Sequence, residues 1–388
     1  MTSYQKIIMD RLLNEENSNN FFLQRPLEIL KHYNPILFPI KKIKTLKNKD
    51  MLSGGLLKED MTFCETSKTF RIAPNNSNLI YKDWYLDPSN KLLESHEYYY
   101  LDEDVLFIGP IPGHYGHFIT EGLSRLWPLL DKQYENYKVV YISEKKENPF
   151  KEFFTIFGLR DANILRVDSP TQFKSITVPE PSIRLHDYCH ELYGQTIEAI
   201  MKDIPLTSQK NIFLSKKANQ LNGKSIGEEN IEKIFNDNDF EIISPEVMSI
   251  KDFLSTMLSA KKVAALSATS AHNAIFMKEK SELICLNRSD HHHPLQIMIN
   301  QIRNLEVTYI DVSFNIFRPN FSNGPFNIII SRHLQAFLKE NEFKPPSQLR
   351  IFFTFCKSTL IYISYFFFLQ KLLNTLSVIK VKISKLKS

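Results

Sequence analysis

The sequence predicts an α/β protein with two successive domains and a basic helical tail. Three observations support this: β-rich apolar runs alternate with helical stretches from about residue 98, the alternation restarts after Pro205, and residues 350–388 contain no acidic residue. Alternating strands and helices are typical of a parallel sheet covered by helices. Two such units in one chain predict two domains that face a central cleft.

Composition fits a globular protein of a reducing compartment. The 388 residues are 43% apolar, which is enough for two cores, and the four cysteines form no close pair. Residues 1–20 mix charged with apolar side chains and predict no secretory signal. Seven basic residues after position 349 leave a net charge of −2 on the rest, which argues against a nucleic-acid-binding body.

The first predicted domain covers residues 1–205, of which residues 1–95 are expected to be irregular. Its predicted strands are Val105–Ile108, Val139–Ile142, Ile164–Val167 and Ile176–Val178. Its predicted helices are about Phe118–Leu130, Phe150–Phe157 and His190–Lys202, the last of which ends before Pro205.

The second predicted domain covers residues 206–345. Its predicted strands are Ile212–Ser215, Phe240–Ile243, Val263–Leu266, Leu283–Leu286 and Val307–Ile310. Its predicted helices are about Gly227–Asn236, Ile250–Ala260 and Ser270–Met277.

The third region, residues 346–388, is predicted to be a membrane-associating helical tail. Leu372, Leu376, Ile379, Ile383 and Leu386 recur at steps of three and four, with lysines largely off that stripe. The uncharged stretch upstream has thirteen residues, fewer than the roughly 20 that a spanning helix needs. We therefore expect the tail to lie on an anionic membrane surface, where each basic residue gains about 1 kcal/mol. The alternatives are packing on the body or dimer formation.

A glycine- and histidine-containing segment, Gly109–Trp127, follows the first predicted strand and opens a helix. His117, Glu121 and Arg125 recur every four residues along one face of that helix. Side chains at the carboxyl end of a strand point into the crevice where open α/β sheets bind ligands. We expect His117 and Glu121 to form an acid/base or substrate-orienting pair. The alternative is an internal hydrogen bond, with His114 as a loop residue.

A second segment, Val263–Phe276, also predicts a strand, a small-residue turn and a helix. The exposed N–H groups and dipole of a helix N-terminus favour a phosphate by about 0.3–1 kcal/mol. Ser270 lies at this start, and His272 and Asn273 are placed to add donors to a diphosphate. The alternative is that Thr269 or Ser270 is only an N-cap and that His272 is a turn residue.

Together with three further segments, these motifs resemble glycosyltransferase family 61, the capsular polysaccharide biosynthesis group. The matching segments occur in the family's order over about residues 105–290: Gly116–His117 with Glu121 and Arg125, Ile212–Lys216, Lys224–Glu229, Ile243–Glu246 and Ala268–Phe276. The resemblance implies a GT-B fold, in which two Rossmann-like domains face a cleft, with the acceptor on the N-terminal side and the nucleotide sugar on the C-terminal side.

The chain departs from the family pattern at several positions. Lys216 or Lys217, and Lys224, stand where the family usually has arginine, Glu228 replaces an asparagine, and Ala268 or Thr269 replaces a glycine. Lysine keeps the positive charge but loses the bidentate fork of arginine.

The resemblance implies an inverting transferase that moves a sugar from a nucleotide-sugar donor to a growing capsular or surface polysaccharide in one in-line displacement. It makes Glu121 or His117 the base, and His114 and Arg125 candidates for acceptor binding. The candidates for donor binding are Lys216, Lys224, Glu229, Ser270, His272 and Asn273. No obligatory metal or other cofactor is expected.

The expected partners are a nucleotide sugar, a glycan or lipid-linked glycan acceptor, the inner face of the cytoplasmic membrane and capsule-assembly proteins, in an AT-rich bacterium. Alternative functions are another capsule-assembly transferase, for a sugar phosphate or a pyruvyl group, and a non-catalytic scaffold docked on the membrane. Asp102–Asp104 are a carboxylate motif or, preferably, an acidic turn. His291–His293 do not indicate zinc, because three consecutive histidines on a regular element cannot all face one ion.

Overall fold

The computed structural model of the chain describes residues 21–44, 50–67, 85–86, 98–111, 113–143, 145–146, 149–185, 187–216, 225–289, 294–317 and 324–385. It divides into two compact units. Unit 1 is drawn from Met1–Pro205 and Pro294–Asn304, and unit 2 from Leu206–His293 and Leu305–Ser388.

The elements are numbered along the chain. The strands are β1 Ile29–Tyr33, β2 Ile36–Lys44, β3 Asp50–Leu57, β4 Tyr85–Leu86, β5 Tyr99–Pro110, β6 Lys138–Ile142, β7 Ile164–Arg166, β8 Thr171–Pro179, β9 Ile183–Arg184, β10 Tyr188–Cys189, β11 Asn211–Leu214, β12 Ser225–Ile226, β13 Phe240–Ile243, β14 Lys262–Leu266, β15 Glu282–Asn287, β16 Glu306–Asp311 and β17 Phe326–Asn327. The α-helices are α1 Tyr115–His117, α2 Lys151–Ile156, α3 Glu191–Met201, α4 Glu228–Asn236, α5 Ile250–Ser259, α6 Thr269–His272, α7 Pro294–Ile302, α8 Arg332–Glu340 and α9 Gln348–Lys385. A π-helical turn, Phe118–Gly122, follows α1, and short 3₁₀ turns lie at Glu65–Ser67, Trp127–Leu130, Lys132–Tyr134, Asp161–Asn163, Pro245–Val247 and Asn273–Phe276.

Unit 1 is built on a mixed sheet with the strand order β4-β3-β2-β8-β5-β6-β7. Strand β5 is parallel to β6 and β8, whereas β1 and β2 run antiparallel to β8. Val105–Ile108 of β5 are all fully buried. Both faces of this strand are therefore covered, which explains why the sequence shows a continuous apolar run there and no alternation.

The expectation of irregular structure over residues 1–95 is wrong for β1, β2 and β3. Strand β1 pairs with β8, as in Ile29 with Pro179, so its partner is far away in the sequence. The pairing of β2 with β3 is interrupted between Phe38 and Lys41, and a Cβ at Gly54 would lie 2.8 Å from the Pro39 carbonyl oxygen. Where strand pairing is irregular and glycine is needed for close backbone approach, the sequence does not alternate between apolar and polar residues as in an ordinary strand. These strands therefore could not be recognised from the sequence pattern.

Two other local predictions for unit 1 are corrected. The helix expected over Phe118–Leu130 is a π-turn and a separate 3₁₀ turn with Pro128 near its start. Asp102–Asp104 lie within β5 and not in a turn. Asp104 forms ion pairs with Lys31 and Lys174, each at 3.2 Å, so this carboxylate ties neighbouring strands together.

The short helix α7 belongs to unit 1, although it is encoded between two strands of unit 2. A Cβ at Gly194 of α3 would lie 3.1 Å from the Ile302 side chain, and Arg303 pairs with Glu198 of α3 at 3.2 Å. Close packing and this ion pair hold α7 against α3. The sequence prediction contained no helix here.

Unit 2 has a five-stranded parallel sheet with the order β13-β11-β14-β15-β16. The alternation of strands and helices predicted for this region is confirmed. Along the chain β11 comes first, β13 second and β14 third, but in the sheet β13 lies on one side of β11 and β14 on the other. The strand order therefore reverses between β11 and β14. In open α/β sheets, ligands bind beyond the carboxyl ends of the strands at such a switch point. For unit 2, this places the candidate site after Leu214 and Leu266.

The tail forms one helix, α9, whose middle packs on the rest of unit 2. The Tyr362 hydroxyl donates to the Phe317 carbonyl at 2.8 Å, and Phe366 stacks on Phe317 with ring centroids 4.2 Å apart. The opposite face exposes large apolar side chains: Leu349, Phe352, Phe353, Leu360, Phe367 and Phe368. Among the described residues, one stretch is long and apolar enough to cross a membrane, Gln348–Phe368, with a mean hydropathy of 1.5.

Candidate functional site

In unit 1, His117 and Glu121 contact each other. His117 Nδ1 lies 3.0 Å from Glu121 Oε2; the Glu121 side chain is 8% exposed and that of His117 is 27% exposed. The pair follows β5 at its carboxyl end, the end of a strand at which open α/β sheets bind ligands. The structure thus brings together the two residues predicted to be catalytic.

The π-turn sets the geometry of this pair. The Leu123 N–H donates to the Phe118 carbonyl at 3.1 Å, a bond across five residues that widens the helix at Glu121. A Cβ at Gly122 would lie 2.7 Å from the Phe118 ring, so only glycine fits this turn. Single π-turns occur frequently at functional sites.

Surrounding groups hold the π-turn in place. The Tyr193 hydroxyl, fully buried on α3, donates to the Ile119 carbonyl. The Thr120 hydroxyl donates to the Gly116 carbonyl at 2.9 Å. Phe118 stacks on Phe150 with centroids 4.6 Å apart. Each anchor fixes the backbone that carries Glu121, so the carboxylate is preorganised.

The two residues predicted to bind the acceptor occupy different environments. His114 is exposed, and its ring centroid lies 5.2 Å from that of His117. Arg125 is 3% exposed, and its guanidinium donates to the Pro179 carbonyl and, at 2.6 Å, to the Thr66 carbonyl. Burial lowers the Arg125 pKa to about 10. This geometry gives Arg125 a structural role, and its contact with an acceptor stays a prediction.

In unit 2, polar residues gather where the strand order reverses. Ser215 and Lys216 follow β11, Ser267 follows β14, and Arg288 follows β15. The Arg288 backbone N–H donates to Ser267 Oγ at 3.2 Å, which links two of these strand ends. Within the described residues, Lys216 and Arg288 are the cations directly after these strands, and the sequence prediction named only Lys216.

Lys216 and Glu228 are both partly buried and lie next to each other. The Lys216 backbone N–H donates to Glu228 Oε1 at 3.3 Å. Burial and the nearby Arg288 lower the Lys216 pKa, whereas burial raises the Glu228 pKa against the opposing effect of Lys216. Burial also lowers the Arg288 pKa to about 10. The acid that contacts Lys216, through the lysine backbone, is therefore Glu228, and the neighbouring Glu229, predicted to bind the donor, is exposed.

Glu228 owes its position to the start of α4. Gly227 precedes it with a φ of 96°, and a Cβ there would lie 2.2 Å from the Ile328 carbonyl oxygen. Because only glycine fits, the helix begins at a fixed residue. Gly227 follows β12, which pairs with β17 through Ser225 and Phe326.

The second sequence motif forms a shorter helix than expected. Helix α6 has four residues and continues as a 3₁₀ turn, so it has little of the dipole expected for a phosphate site. Ser270, His272 and Asn273 are buried, and the Asn273 amide donates to the Thr269 carbonyl at 3.3 Å. Their donor-binding roles stay predictions.

Two groups named from the sequence, Lys224 and His291–His293, lie outside the described residues. The described residues contain no group of three or more His, Cys, Asp or Glu side chains that could hold a metal ion.

Comparison with known proteins assigns the family. The model of the family described as Glycosyltransferase 61 matches residues 115–284. This part of the chain is a glycosyltransferase family 61 domain. No curated protein matches the chain.

The family 61 domain makes the chain an enzyme that transfers glycosyl groups, with a nucleotide-sugar donor and a glycan acceptor. The assignment favours glycosyl transfer over the other transferase chemistries and over the scaffold considered from the sequence. The match begins at Tyr115, two residues before His117, and it covers Lys216 and Glu228. Arg288 lies just beyond its end. Its signal in the sequence is a basic residue directly after an apolar strand.

Proposed function

We propose that the chain is an inverting glycosyltransferase of GT-B type that extends a capsular or surface polysaccharide on the cytoplasmic face of a bacterial membrane. The observation that carries the chemistry is the His117–Glu121 contact of 3.0 Å at the carboxyl end of β5. A histidine held by a carboxylate, beside a sheet edge, is a typical arrangement for general base catalysis.

In the proposed reaction, Glu121 accepts a hydrogen bond from Nδ1–H of His117, which makes Nε2 the nitrogen that accepts a proton. The acceptor hydroxyl transfers its proton to Nε2 while its oxygen forms a bond to the anomeric carbon. The bond from that carbon to the donor diphosphate breaks, and the diphosphate leaves with the electron pair. Direct proton transfer to Glu121 is the alternative within this mechanism.

The leaving diphosphate needs fixed positive charge. Lys216 at the switch point supports this role, and Lys224, Glu229, Ser270, His272 and Asn273 remain candidates for further donor contacts. We propose that no obligatory metal takes part, so chelation with EDTA should leave turnover unchanged. Loss of turnover that Mg²⁺ or Mn²⁺ restores would contradict this.

The test of the chemistry compares the full-length chain with Glu121→Gln across UDP-, GDP- and CMP-sugars. We expect donor turnover to fall by about 10²–10⁴-fold in the variant with little change in donor affinity, because the imidazole loses its orienting carboxylate. Glu135→Gln, which removes an exposed carboxylate of unit 1, is the matched control. Full turnover by Glu121→Gln would overturn the assignment, and NMR of the product anomer tests inversion.

We also propose that α9 holds the enzyme on the inner face of the cytoplasmic membrane. One face of the helix packs on unit 2, and the opposite face exposes aromatic and aliphatic side chains, such as Phe352 at 62% and Leu360 at 66%. The sequence beyond Gln370 is basic and has no acid. Exposed apolar rings beside positive charge suit an anionic bilayer, with the helix lying in the interface because its middle contacts unit 2.

Vesicle sedimentation tests this docking. We expect the full-length protein to bind vesicles of phosphatidylglycerol and phosphatidylcholine more tightly than pure phosphatidylcholine vesicles, and Phe352→Asp with Phe353→Asp to weaken binding about tenfold or more. The exposed substitution Leu206→Asp is the matched control. A stable dimer in solution that the Phe352 and Phe353 changes dissociate, without vesicle binding, would assign this face to a second copy.

A further inference from the structure

Arg288 is a buried cation that the proposed mechanism leaves unused. Its side chain lies over the Phe326 ring, with Cζ 4.1 Å from the centroid, and the residue is 8% exposed. Its backbone is fixed at both ends, because its N–H donates to Ser267 and its carbonyl accepts from the Asn315 amide at 2.9 Å. Arg288 therefore has a defined position at the sheet edge.

The guanidinium of Arg288 makes no hydrogen bond within the described part of the chain, although it carries five N–H donors. Buried polar groups normally have hydrogen-bonding partners, and leaving a charged donor without one costs free energy. Phe326 covers one face of the guanidinium, and the N–H edges remain for an anion that presents two acceptor oxygens side by side. Phosphate and carboxylate groups both bind an arginine fork in this way, and a nucleotide-sugar donor supplies phosphates.

Three charged groups of the described residues act on one another at this sheet edge. Lys216 and Arg288 are the cations, and Glu228 is the described acid whose charge acts on both. Glu246 also acts on Lys216, and Glu232 acts on Glu228, but Glu232 accepts a hydrogen bond from the Ser215 hydroxyl. Glu228 is therefore the counter-ion of two cations at the switch point.

We propose that Arg288 and Lys216 bind the donor diphosphate. Before the diphosphate binds, the Glu228 carboxylate balances the charge of these two cations, and the bound diphosphate then takes over that role. The inference rests on the proposed function in taking this anion to be the diphosphate of a nucleotide sugar. Once bound, the diphosphate neutralises the two cations, and Glu228 takes up a proton because its carboxylate would otherwise face a second anion.

The consequence is a pH-dependent donor affinity. The raised Glu228 pKa means that this group is protonated on the acid side and ionised on the basic side of neutrality. Ionised Glu228 competes with the diphosphate for Lys216 and Arg288, so affinity falls as pH rises through the Glu228 pKa. Binding at a pH above that pKa is accompanied by proton uptake.

Calorimetric titration of the full-length protein with inorganic pyrophosphate tests this, at about pH 5.5 and about pH 7.5. Glu228→Gln keeps the oxygen that accepts from Lys216 but removes the charge. We expect this variant to bind about 5–20-fold more tightly than wild type at the higher pH and within about twofold at the lower pH. Because pyrophosphate itself titrates, the ratio of variant to wild type at each pH is the readout. Glu279→Gln, an exposed carboxylate of unit 2, is the matched control.

Proton uptake and Arg288 provide two further readouts. Titrations in buffers of different ionisation enthalpy should show proton uptake at about pH 7.5 in wild type and less in Glu228→Gln. Arg288→Met should weaken pyrophosphate binding at least about tenfold at both pH values, whereas the exposed control Arg332→Met should not.

Equal binding by wild type and Glu228→Gln at both pH values, or weaker binding by the variant, overturns the counter-ion role. Unchanged pyrophosphate binding by Arg288→Met overturns the proposal that Arg288 binds the anion. If Arg288→Met does not fold, the proposal is decided by whether Glu228→Gln binds pyrophosphate more tightly or more weakly than wild type at the higher pH. Pyrophosphate binding of this kind without any nucleotide-sugar turnover would uphold the anion site and reject the proposed function.

Discussion

Arg125 in unit 1 and Arg288 in unit 2 are both buried arginines, and their surroundings differ. Arg125 donates to two backbone carbonyls, those of Pro179 and Thr66, whereas Arg288 lies on a phenylalanine ring with no hydrogen bond to its guanidinium among the described residues. Burial lowers the pKa of both side chains to about 10. Burial alone therefore does not separate a structural arginine from a ligand-binding one.

The hydrogen-bonding partners separate them. A guanidinium that donates to protein carbonyls holds the fold together, and its removal leaves those carbonyls without these donors. A largely buried guanidinium that donates to no protein group keeps its N–H donors for an anion. On the proposal made above, the same residue type contributes to stability in unit 1 and to anion binding in unit 2.

The largest expected effect on stability is that of Arg125→Met. Loss of the guanidinium leaves two carbonyl groups without their donors, so we expect the free energy of unfolding to fall by about 2–4 kcal/mol. Urea unfolding followed by circular dichroism measures it, with the exposed Arg160→Met as control. A loss below about 0.5 kcal/mol would contradict the structural role of Arg125.

Tyr193→Phe should have the next largest effect. The Ile119 carbonyl loses its hydroxyl donor, so we expect a loss of about 1–2 kcal/mol, together with reduced turnover because the π-turn that carries Glu121 loses an anchor. Tyr99→Phe, at an exposed tyrosine, is the control. Reduced stability with turnover fully retained would show that this anchor does not position the catalytic pair.

Asp104→Asn tests an ion pair near the surface of unit 1. Hydrogen bonding by Ser175 and the nearby lysines lowers the Asp104 pKa to about 2. A depressed pKa stabilises the protein above the pKa of the unfolded chain, about 4, and this contribution disappears as pH falls toward 2. Because solvent screens the pair, we expect a loss of about 0.5 kcal/mol at pH 7 that shrinks below about pH 4. Urea unfolding at several pH values checks this, and a loss that grows on acidification would refute it.

The smallest expected effect on stability is that of Arg288→Met. Because the guanidinium has no hydrogen bond to lose and a methionine side chain can also pack on the Phe326 ring, stability should change by less than about 0.5 kcal/mol or increase. The urea unfolding used for Arg125→Met measures this directly. Equal losses at Arg125 and Arg288 would remove the distinction between the two arginines.

The sequence predicted unit 2 better than unit 1. The sheet strands of unit 2 are short apolar runs in parallel pairing, and helices separate β13, β14 and β15, so local pattern suffices for most of them. In unit 1, β1 and β2 pair with the distant strand β8, and the ladder of β2 with β3 is irregular. Such pairing is a non-local property that a pattern in one window does not reveal.

The candidate site was partly predictable for a related reason. The spacing of four residues correctly predicted that His117 and Glu121 lie close together, although the turn between them is a π-turn and not the α-helix expected. On α4 the prediction selected Glu229, yet neighbouring residues of a helix point about 100° apart. The left-handed start at Gly227 fixes Glu228 as the residue beside Lys216, and that start depends on the Ile328 carbonyl of a distant segment.

Because of helix α7, neither unit is a single continuous segment of the chain. Because this helix belongs to unit 1 but is encoded between β15 and β16, the polypeptide crosses from one unit to the other three times. No single cut yields a complete copy of either unit, and a fragment that ends with the family match at residue 284 lacks a helix of unit 1. Any evolutionary exchange of one unit for that of another enzyme would need three simultaneous junctions, so the two units are inherited together.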